Sequence, residues 1–212
     1  MVIGGGGHAA VLVDMLRQLN QPILAIVCPE IDNSRQVLLG IKHLLEDEDI
    51  LAYDCKEVEL VNGIGSLPGN SLRFEIFKHF KTLGYTFKTL VSPYAIVSPY
   101  AQLGEGVQVM PNAVIQSGVV VGEGSIINTA AAVEHDCKIG AHNHIAPGAV
   151  ICGDVTTGKA VHVGAGATVI QSLFIGEKTV VGAGACLTKD TEAKSTVYPA
   201  RVVIKNKNGY CK

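Results

Sequence analysis

Tryptophan is missing from these 212 residues and phenylalanine occurs only five times, so aromatics make up 5% of the chain. A core without large rings has to be filled by small aliphatic side chains packed at short intervals. Charge is scarce as well: Asp, Glu, Lys and Arg together reach 17%, and the net charge is −2. That balance excludes the basic field that gathers nucleic acid. No run of 18 apolar residues occurs and no charged-then-apolar leader is present. Neither a membrane span nor a secretory signal is expected, which points to the cytoplasm. Paired cysteines are lacking too. Cys28, Cys55, Cys137, Cys152, Cys186 and Cys211 form no CxxC and no disulfide-like spacing, and they read as buried thiols in a reducing compartment.

What the chain has in quantity is glycine, 24 residues of it, with a mean hydropathy of +0.32. The aliphatic residues keep time. Stepping by six from Val91 to Leu187 visits 17 positions, and 16 are Val, Ile or Leu, with Thr157 the exception. Two residues earlier runs a lane of mostly small residues that includes Ala95, Ala101, Ala113, Ser125, Ala131, Cys137, Ala149, Ala167 and Ala185. Glycine often follows the hexad position directly, as at Gly104, Gly122, Gly140, Gly158 and Gly176. The pattern predicts a triangular solenoid. Each hexad supplies one short strand and one corner, the aliphatic residue points inward, and glycine relieves the turn. Three hexads make a coil, coils stack about 4.8 Å apart, and the count gives about five to six coils over residues 91–190. A β-sandwich, with a period of two and irregular loops, does not hold such a rhythm.

Residues 1–90 alternate β and α signals and predict a small parallel α/β domain. Met1–Ile3, Ile23–Val27, Leu38–Gly40, Glu57–Ile64 and Thr86–Leu90 read as strands. The helical signals are a segment with Val11, Leu12, Met15, Leu16 and Leu19 on one face, a short acidic helix over Ile41–Asp49, and a helix over Gly69–Leu83. After the first strand, the glycine run fits GxGxxA in two registers, Gly4/Gly6/Ala9 and Gly5/Gly7/Ala10. Bare peptide N–H groups at a helix N-terminus can bind phosphate. The acid that an NAD ribose wants is poorly matched by Glu30 at the end of the second strand, so NAD is disfavoured. Phosphate binding near Gly6, Gly7 and Gly65 is the expectation.

A solenoid filled with aliphatic side chains has no interior cavity, so chemistry belongs on its outer wall. Polar residues break the rhythm at Asn128-Thr129, Glu134-His135-Asp136, His142-Asn143-His144 and His162. A histidine flanked by carboxylates can accept a proton near neutral pH. His144 lies half a coil from His135 and projects from another side. A metal site built from His135, His142, His144 and His162 lacks the usual ligand spacing, and no metal is expected. Cys137 sits in the inward lane and reads as core.

The segments VIGGGGHAAVLVDMLR, ELVNGIGS, INTAAAVEHDCKIGAHNHIAPGAVICGDV and YPARVVIK resemble, over nearly the whole chain, one family. It is the hexapeptide-repeat sugar acyltransferases, which include bacterial nucleotide-linked 4-amino-6-deoxysugar N-acetyltransferases and sialic acid O-acetyltransferases. The resemblance implies a left-handed parallel β-helix, a homotrimer, and acetyl-CoA in the groove between subunits. It implies His135 as the base and Asp136 as its partner, with His144 at the acetyl end of the cofactor. Gly153, Gly164, Ala165 and Ala183 are the implied backbone contacts to the cofactor. Gly6, Gly7 and His8, with Asn62 to Gly65, are the implied contacts to a nucleotide-linked sugar. Where related chains end the second strand with aspartates, this one has Cys28-Pro29-Glu30. Val197 stands where they carry glycine before the final Pro-Ala, and the first strand is short at its beginning.

Three units are therefore expected. Residues 1–90 form a nucleotide-sugar-binding domain, 91–190 the acyltransferase β-helix, and 191–212 a tail near the CoA groove. The expected activity is acetyl-CoA-dependent N-acetylation of the C4 amine of a nucleotide-linked 4-amino-4,6-dideoxysugar, serving bacterial surface glycan and lipopolysaccharide biosynthesis. In the expected mechanism, backbone N–H groups near Gly153, or His144, stabilise the oxyanion. O-acetylation of sialic acid or a related sugar hydroxyl is the alternative, and a non-catalytic scaffold the second.

Overall fold

The structure is a computed structural model that describes residues 1–32 and 34–200. Cys211 and the part of YPARVVIK beyond Ala200 lie outside the described residues. The first unit is a five-stranded sheet of β1 (Val2–Ile3), β2 (Ile26–Val27), β3 (His43–Leu44), β4 (Glu59–Asn62) and β5 (Thr86–Phe87), in the order β3-β2-β1-β4-β5. All neighbours are parallel. Two helices pack on it, α1 (Gly7–Gln18) and α2 (Leu72–Thr82). Helix α1 buries Ala9, Leu12, Val13, Met15 and Leu16, the stripe expected of a 3.6-residue period, while Val11 faces outward.

Two elements differ from expectation. Leu38–Gly40 is no strand; Gln36–Leu38 forms a 3₁₀ turn. Ile41–Asp49 is no helix either, because His43–Leu44 is captured by the free edge of β2. Sheet pairing there overrides local helical preference. The acidic run instead opens a 3₁₀ helix at Asp47–Ala52, where Glu46 and Asp49 form a capping box.

From Leu90 onward the chain winds into a left-handed parallel β-helix with flat faces of seven, six and five strands. The first face holds Leu90–Val91, Gln108–Val109, Ile126–Ile127, His144–Ile145, His162–Val163, Val180–Val181 and Thr196–Val197. The second runs from Ile96–Val97 to Cys186–Leu187, and the third from Gln102–Leu103 to Phe174–Ile175. The hexad aliphatics and the small lane form one continuous buried cluster from Val107 to Leu187. Each fully buried aliphatic side chain contributes roughly 1.5–3 kcal/mol.

The glycines that follow the third-face strands do not relieve the turn by adopting left-handed backbone. A Cβ at Gly122 would lie 2.6 Å from the Ala141 nitrogen on the next coil, so these glycines let neighbouring coils approach. The left-handed residue comes two positions later in the corner, as at Gly106, Gly124 and His142.

The two units share a core. Leu90, Met110 and Ile126 of the β-helix pack into the cluster that holds Val2, Leu12, Met15 and Ile26. The α/β unit is thereby seated on the upper part of the first face.

Candidate active site

His135 and Asp136 occupy the corner between the second and third faces. The imidazole Nδ1 lies 2.9 Å from Asp136 Oδ2. A carboxylate can only accept, so Nδ1 carries a proton, and in the neutral ring Nε2 is the nitrogen with the free lone pair. Asp136 has left-handed backbone, with φ of 62°. The carboxylate lies over Gly118, where a Cβ would run into it. The reactive edge of the ring stands over Gly153 one coil on: a Cβ there would come within 2.7 Å of His135 Nε2. The Gly153 N–H makes no hydrogen bond among the described residues. In the single chain the pair is open to water, the His135 side chain being 62% exposed.

Cys137, two residues on, is fully buried and donates its S–H to the Cys152 carbonyl. Burial pushes its thiol up to about 11, so it is core, as its lane implied, and no thiolate nucleophile is available there.

A second cluster forms where the α/β unit meets the first face. The strand order of the sheet reverses between β1 and β4, and loops following such neighbouring strands frame a ligand crevice. Here those loops are Gly4–Gly7 and Gly63–Ser66. Gly6 and Gly7 open α1 with exposed backbone, and the Arg35 guanidinium stands 3.6 Å from where a Gly7 Cβ would be. His8 faces Gly65 and lies 2.8 Å from Gln108 Oε1, while the Gln108 amide donates to the Asn62 carbonyl at 2.8 Å. His8 therefore donates from Nε2. Arg73, buried at the start of α2, donates to the carbonyls of Asn62 at 2.8 Å and Ile64 at 2.7 Å.

His144 joins this cluster rather than the His135 corner. Its Nδ1 donates to the Ser66 carbonyl at 3.1 Å, and its Nε2 accepts from the Asn128 amide at 2.9 Å. Asn128 is held in that orientation by the Thr129 N–H on its oxygen at 2.7 Å. With both ring nitrogens engaged, His144 has no N–H left for an oxyanion, contrary to one of the two expected arrangements. Gly164, Ala165 and Ala183 continue downward along the corner between the first and second faces, below Asn128. Within one chain, then, His135, Asp136 and Gly153 stand together. His8, Asn62, Gly65 and His144 form a separate group on another side of the prism.

The histidines do not converge: among the described residues no three His, Cys, Asp or Glu side chains are grouped to hold a metal ion. His142 packs edge-on against Phe74 and Phe77, and His162 against His144. Gln108, Arg73 and Arg35 were not anticipated. A reading at a spacing of one full coil would have placed Gln108, His144 and His162 on one outward lane.

Burial lowers the pKa values of His8 and His144 to about 4 in the fold. A histidine whose folded value lies below its unfolded one contributes stability at neutral pH that is lost as pH falls. Melting temperature should therefore decline between pH 6.5 and 4, and the decline should be shallower in His144→Gln. Parallel melting curves for the two proteins over that range would contradict this assignment.

The family model of the bacterial transferase hexapeptide (six repeats) matches residues 100–129. No curated protein sequence matches. Among solved structures, the chain is similar to perosamine N-acetyltransferase from Caulobacter crescentus, in a variant with one histidine changed to asparagine and in complex with CoA and GDP-perosamine. That likeness is 33% identical, covers 92% of this chain and 90% of the other, and has a TM-score of 0.83. The acetyltransferase domain of PglB from Neisseria gonorrhoeae, in complex with acetyl coenzyme A, is 30% identical over 92% of this chain and 93% of the other, at a TM-score of 0.83. WeeI from Acinetobacter baumannii shares the fold at 21% identity, covering 95% of this chain and 98% of the other, with a TM-score of 0.74.

Proposed function

The chain belongs to the hexapeptide-repeat sugar acyltransferases, and from that premise we propose that it transfers acetyl from acetyl-CoA to the amine of a nucleotide-linked amino sugar. The observation that carries the reading is the orientation of His135, whose Nδ1–H is held by Asp136 and whose Nε2 is left open. The sugar amine attacks the thioester carbonyl, forming the C–N bond, and His135 Nε2 takes the amine proton. Collapse of the tetrahedral intermediate breaks the C–S bond, and the CoA sulfur leaves and is protonated. The unpaired Gly153 N–H beside the ring supports a role for it as the oxyanion donor.

The acceptor is the C4 amine of a 4-amino-4,6-dideoxysugar made for the bacterial surface, including lipopolysaccharide, in the cytoplasm. Residues 1–90 hold the nucleotide through Gly6, Gly7, His8, Asn62 and Gly65. Residues 91–190 hold acetyl-CoA through His144, Gly153, Gly164, Ala165 and Ala183, with 191–212 beside that groove. The working enzyme is a homotrimer. Two features support it: the openness of His135 in one chain, and the apolar outward lane of the second face, where Ile96, Val114, Ala132 and Val150 succeed one another. Covering that lane with a second copy gives the base a neighbour that excludes water.

Thiol release from acetyl-CoA, measured against dTDP-, UDP- and GDP-linked 4-amino sugars with free sialic acid alongside, tests the reading. Release with at least one nucleotide-linked amino sugar is expected. Release with sialic acid alone would replace it by the O-acetyl alternative.

A further inference from the structure

Where the α/β unit sits on the first face of the β-helix, one polar side chain interrupts an apolar seam. Leu90, Gln108 and Ile126 succeed one another on paired strands. Leu90 and Ile126 pack into the shared core, and Gln108 between them is 1% exposed. A primary amide buried among aliphatic side chains costs free energy unless both its ends find partners. Here both do, and each partner belongs to a different loop of the crevice. The amide Nε2 donates to the Asn62 carbonyl at 2.8 Å, after β4. The amide Oε1 lies 2.8 Å from His8 Nε2, at the start of α1. A carbonyl only accepts, so the amide cannot be turned round, and the imidazole must carry its proton on Nε2. Burial, with the Arg73 charge adding to it, holds the His8 pKa down at about 4, which keeps the ring neutral at pH 7. Its Nδ1 therefore holds a lone pair. That nitrogen makes no hydrogen bond among the described residues and is not sealed from solvent. It is a free acceptor on the loop that faces Gly65.

We propose that Gln108 is a positioning residue for the acceptor: it fixes the spacing of the loops after β1 and β4, and it locks His8 with its acceptor nitrogen turned to the nucleotide-linked sugar. This rests on the acetyl-transfer reading above and adds which kind of group the His8 side chain meets. An ionised pyrophosphate offers only acceptors, and a neutral lone pair repels them. The ring therefore takes a hydroxyl or N–H of the bound molecule, and phosphate is left to the backbone N–H groups at the start of α1. Arg73 does not duplicate this role. It shares the Asn62 carbonyl at 2.8 Å but makes no hydrogen bond to His8. Gln108→Met keeps the seam filled and removes the acceptor in front of Nε2. An N–H left there would be buried without a partner, so the proton moves to Nδ1 and the open edge of the ring turns from acceptor to donor.

Heteronuclear NMR of the full chain with heavy-nitrogen-labelled histidine reads the tautomer directly, His8 being assigned by the signal lost in His8→Phe. At neutral pH the ring should be neutral with its proton on Nε2. Its Nδ1 resonance should move toward the hydrogen-bonded range when the dTDP-, UDP- or GDP-linked 4-amino sugar that supports thiol release is added. A proton on Nδ1, or an Nδ1 signal indifferent to saturating sugar, would overturn the proposal, and neither result depends on a variant that folds. In Gln108→Met the proton should shift to Nδ1, and the KM for that nucleotide sugar should rise about ten-fold or more. Its kcat and its KM for acetyl-CoA should stay within about two-fold of the unaltered chain. A KM for the sugar that does not change would also overturn the proposal and leave acetyl transfer standing. Losses spread evenly over kcat and both KM values would reduce Gln108 to an ordinary core residue. If none of the three nucleotide sugars supports thiol release by the unaltered chain, the acetyl-transfer reading falls first and the acceptor role of His8 with it.

Discussion

Replacing His135 by alanine is expected to cut turnover by roughly 10²–10⁴-fold while CoA affinity stays close to that of the unaltered enzyme. The magnitude follows from what the ring contributes. The imidazole is the one group there with a base nitrogen oriented by a partner, and the buried Cys137 thiol, held up at about 11, does not replace it. The backbone around Gly153 is untouched by the substitution, so positioning of the thioester should survive and the loss should appear in kcat. Raising the pH supplies a control. An amine above its own pKa needs less help from a base, so the defect should shrink at high pH; for a hydroxyl acceptor it would not. Asp136→Ala should give a smaller loss, because the base remains but its tautomer is no longer fixed. Turnover of His135→Ala within a few-fold of the unaltered enzyme would remove the base from the mechanism.

Much of this was legible because the β-helix writes its geometry locally. Every sixth residue from Val91 to Leu187 points into the prism, so period, strand and burial coincide, and no distant partner is needed to set them. The same argument made Cys137 core and left Glu134-His135-Asp136 as an irregularity on the outer wall. The α/β unit was less transparent. His43–Leu44 becomes a strand only because the edge of β2 is free to receive it, a fact of tertiary pairing that no local preference contains. The glycines after the third-face strands were visible, but their reason was misjudged. It lies in the approach of the next coil, 18 residues away in sequence, rather than in the turn. His144 was expected near the acetyl group with a proton to give, and the structure shows both its nitrogens already committed. Arg73 is the clearest omission, since nothing in a helical segment marks one arginine as buried.

Arg73→Met is expected to destabilise the protein by about 3–5 kcal/mol, and to weaken nucleotide-sugar binding in whatever folded protein remains. Arg73 is 8% exposed, and burial pulls its pKa down to about 9, still cationic at neutral pH. It meets no carboxylate within 4.0 Å among the described residues. Its donors go instead to the carbonyls of Asn62 and Ile64, in the segment proposed to hold the nucleotide, and, at 3.4 Å, to Gly124 of the β-helix. One side chain therefore ties the loop after β4 to the corner of the coil on which the α/β unit sits. Methionine fills much of the same volume but offers no donor, so the Ile64 and Gly124 carbonyls lose this partner, the Asn62 carbonyl keeps only Gln108, and the loop loses its anchor. Lysine keeps the charge but cannot fork to separated acceptors, and Arg73→Lys should fall between the two. Denaturant unfolding of the three proteins, with the KM for the nucleotide sugar measured alongside, reads both effects. A methionine variant as stable as the unaltered chain would show that Arg73 only fills space, and the link between the loop after β4 and the β-helix would have to be sought in the packing of Leu90, Met110 and Ile126 instead.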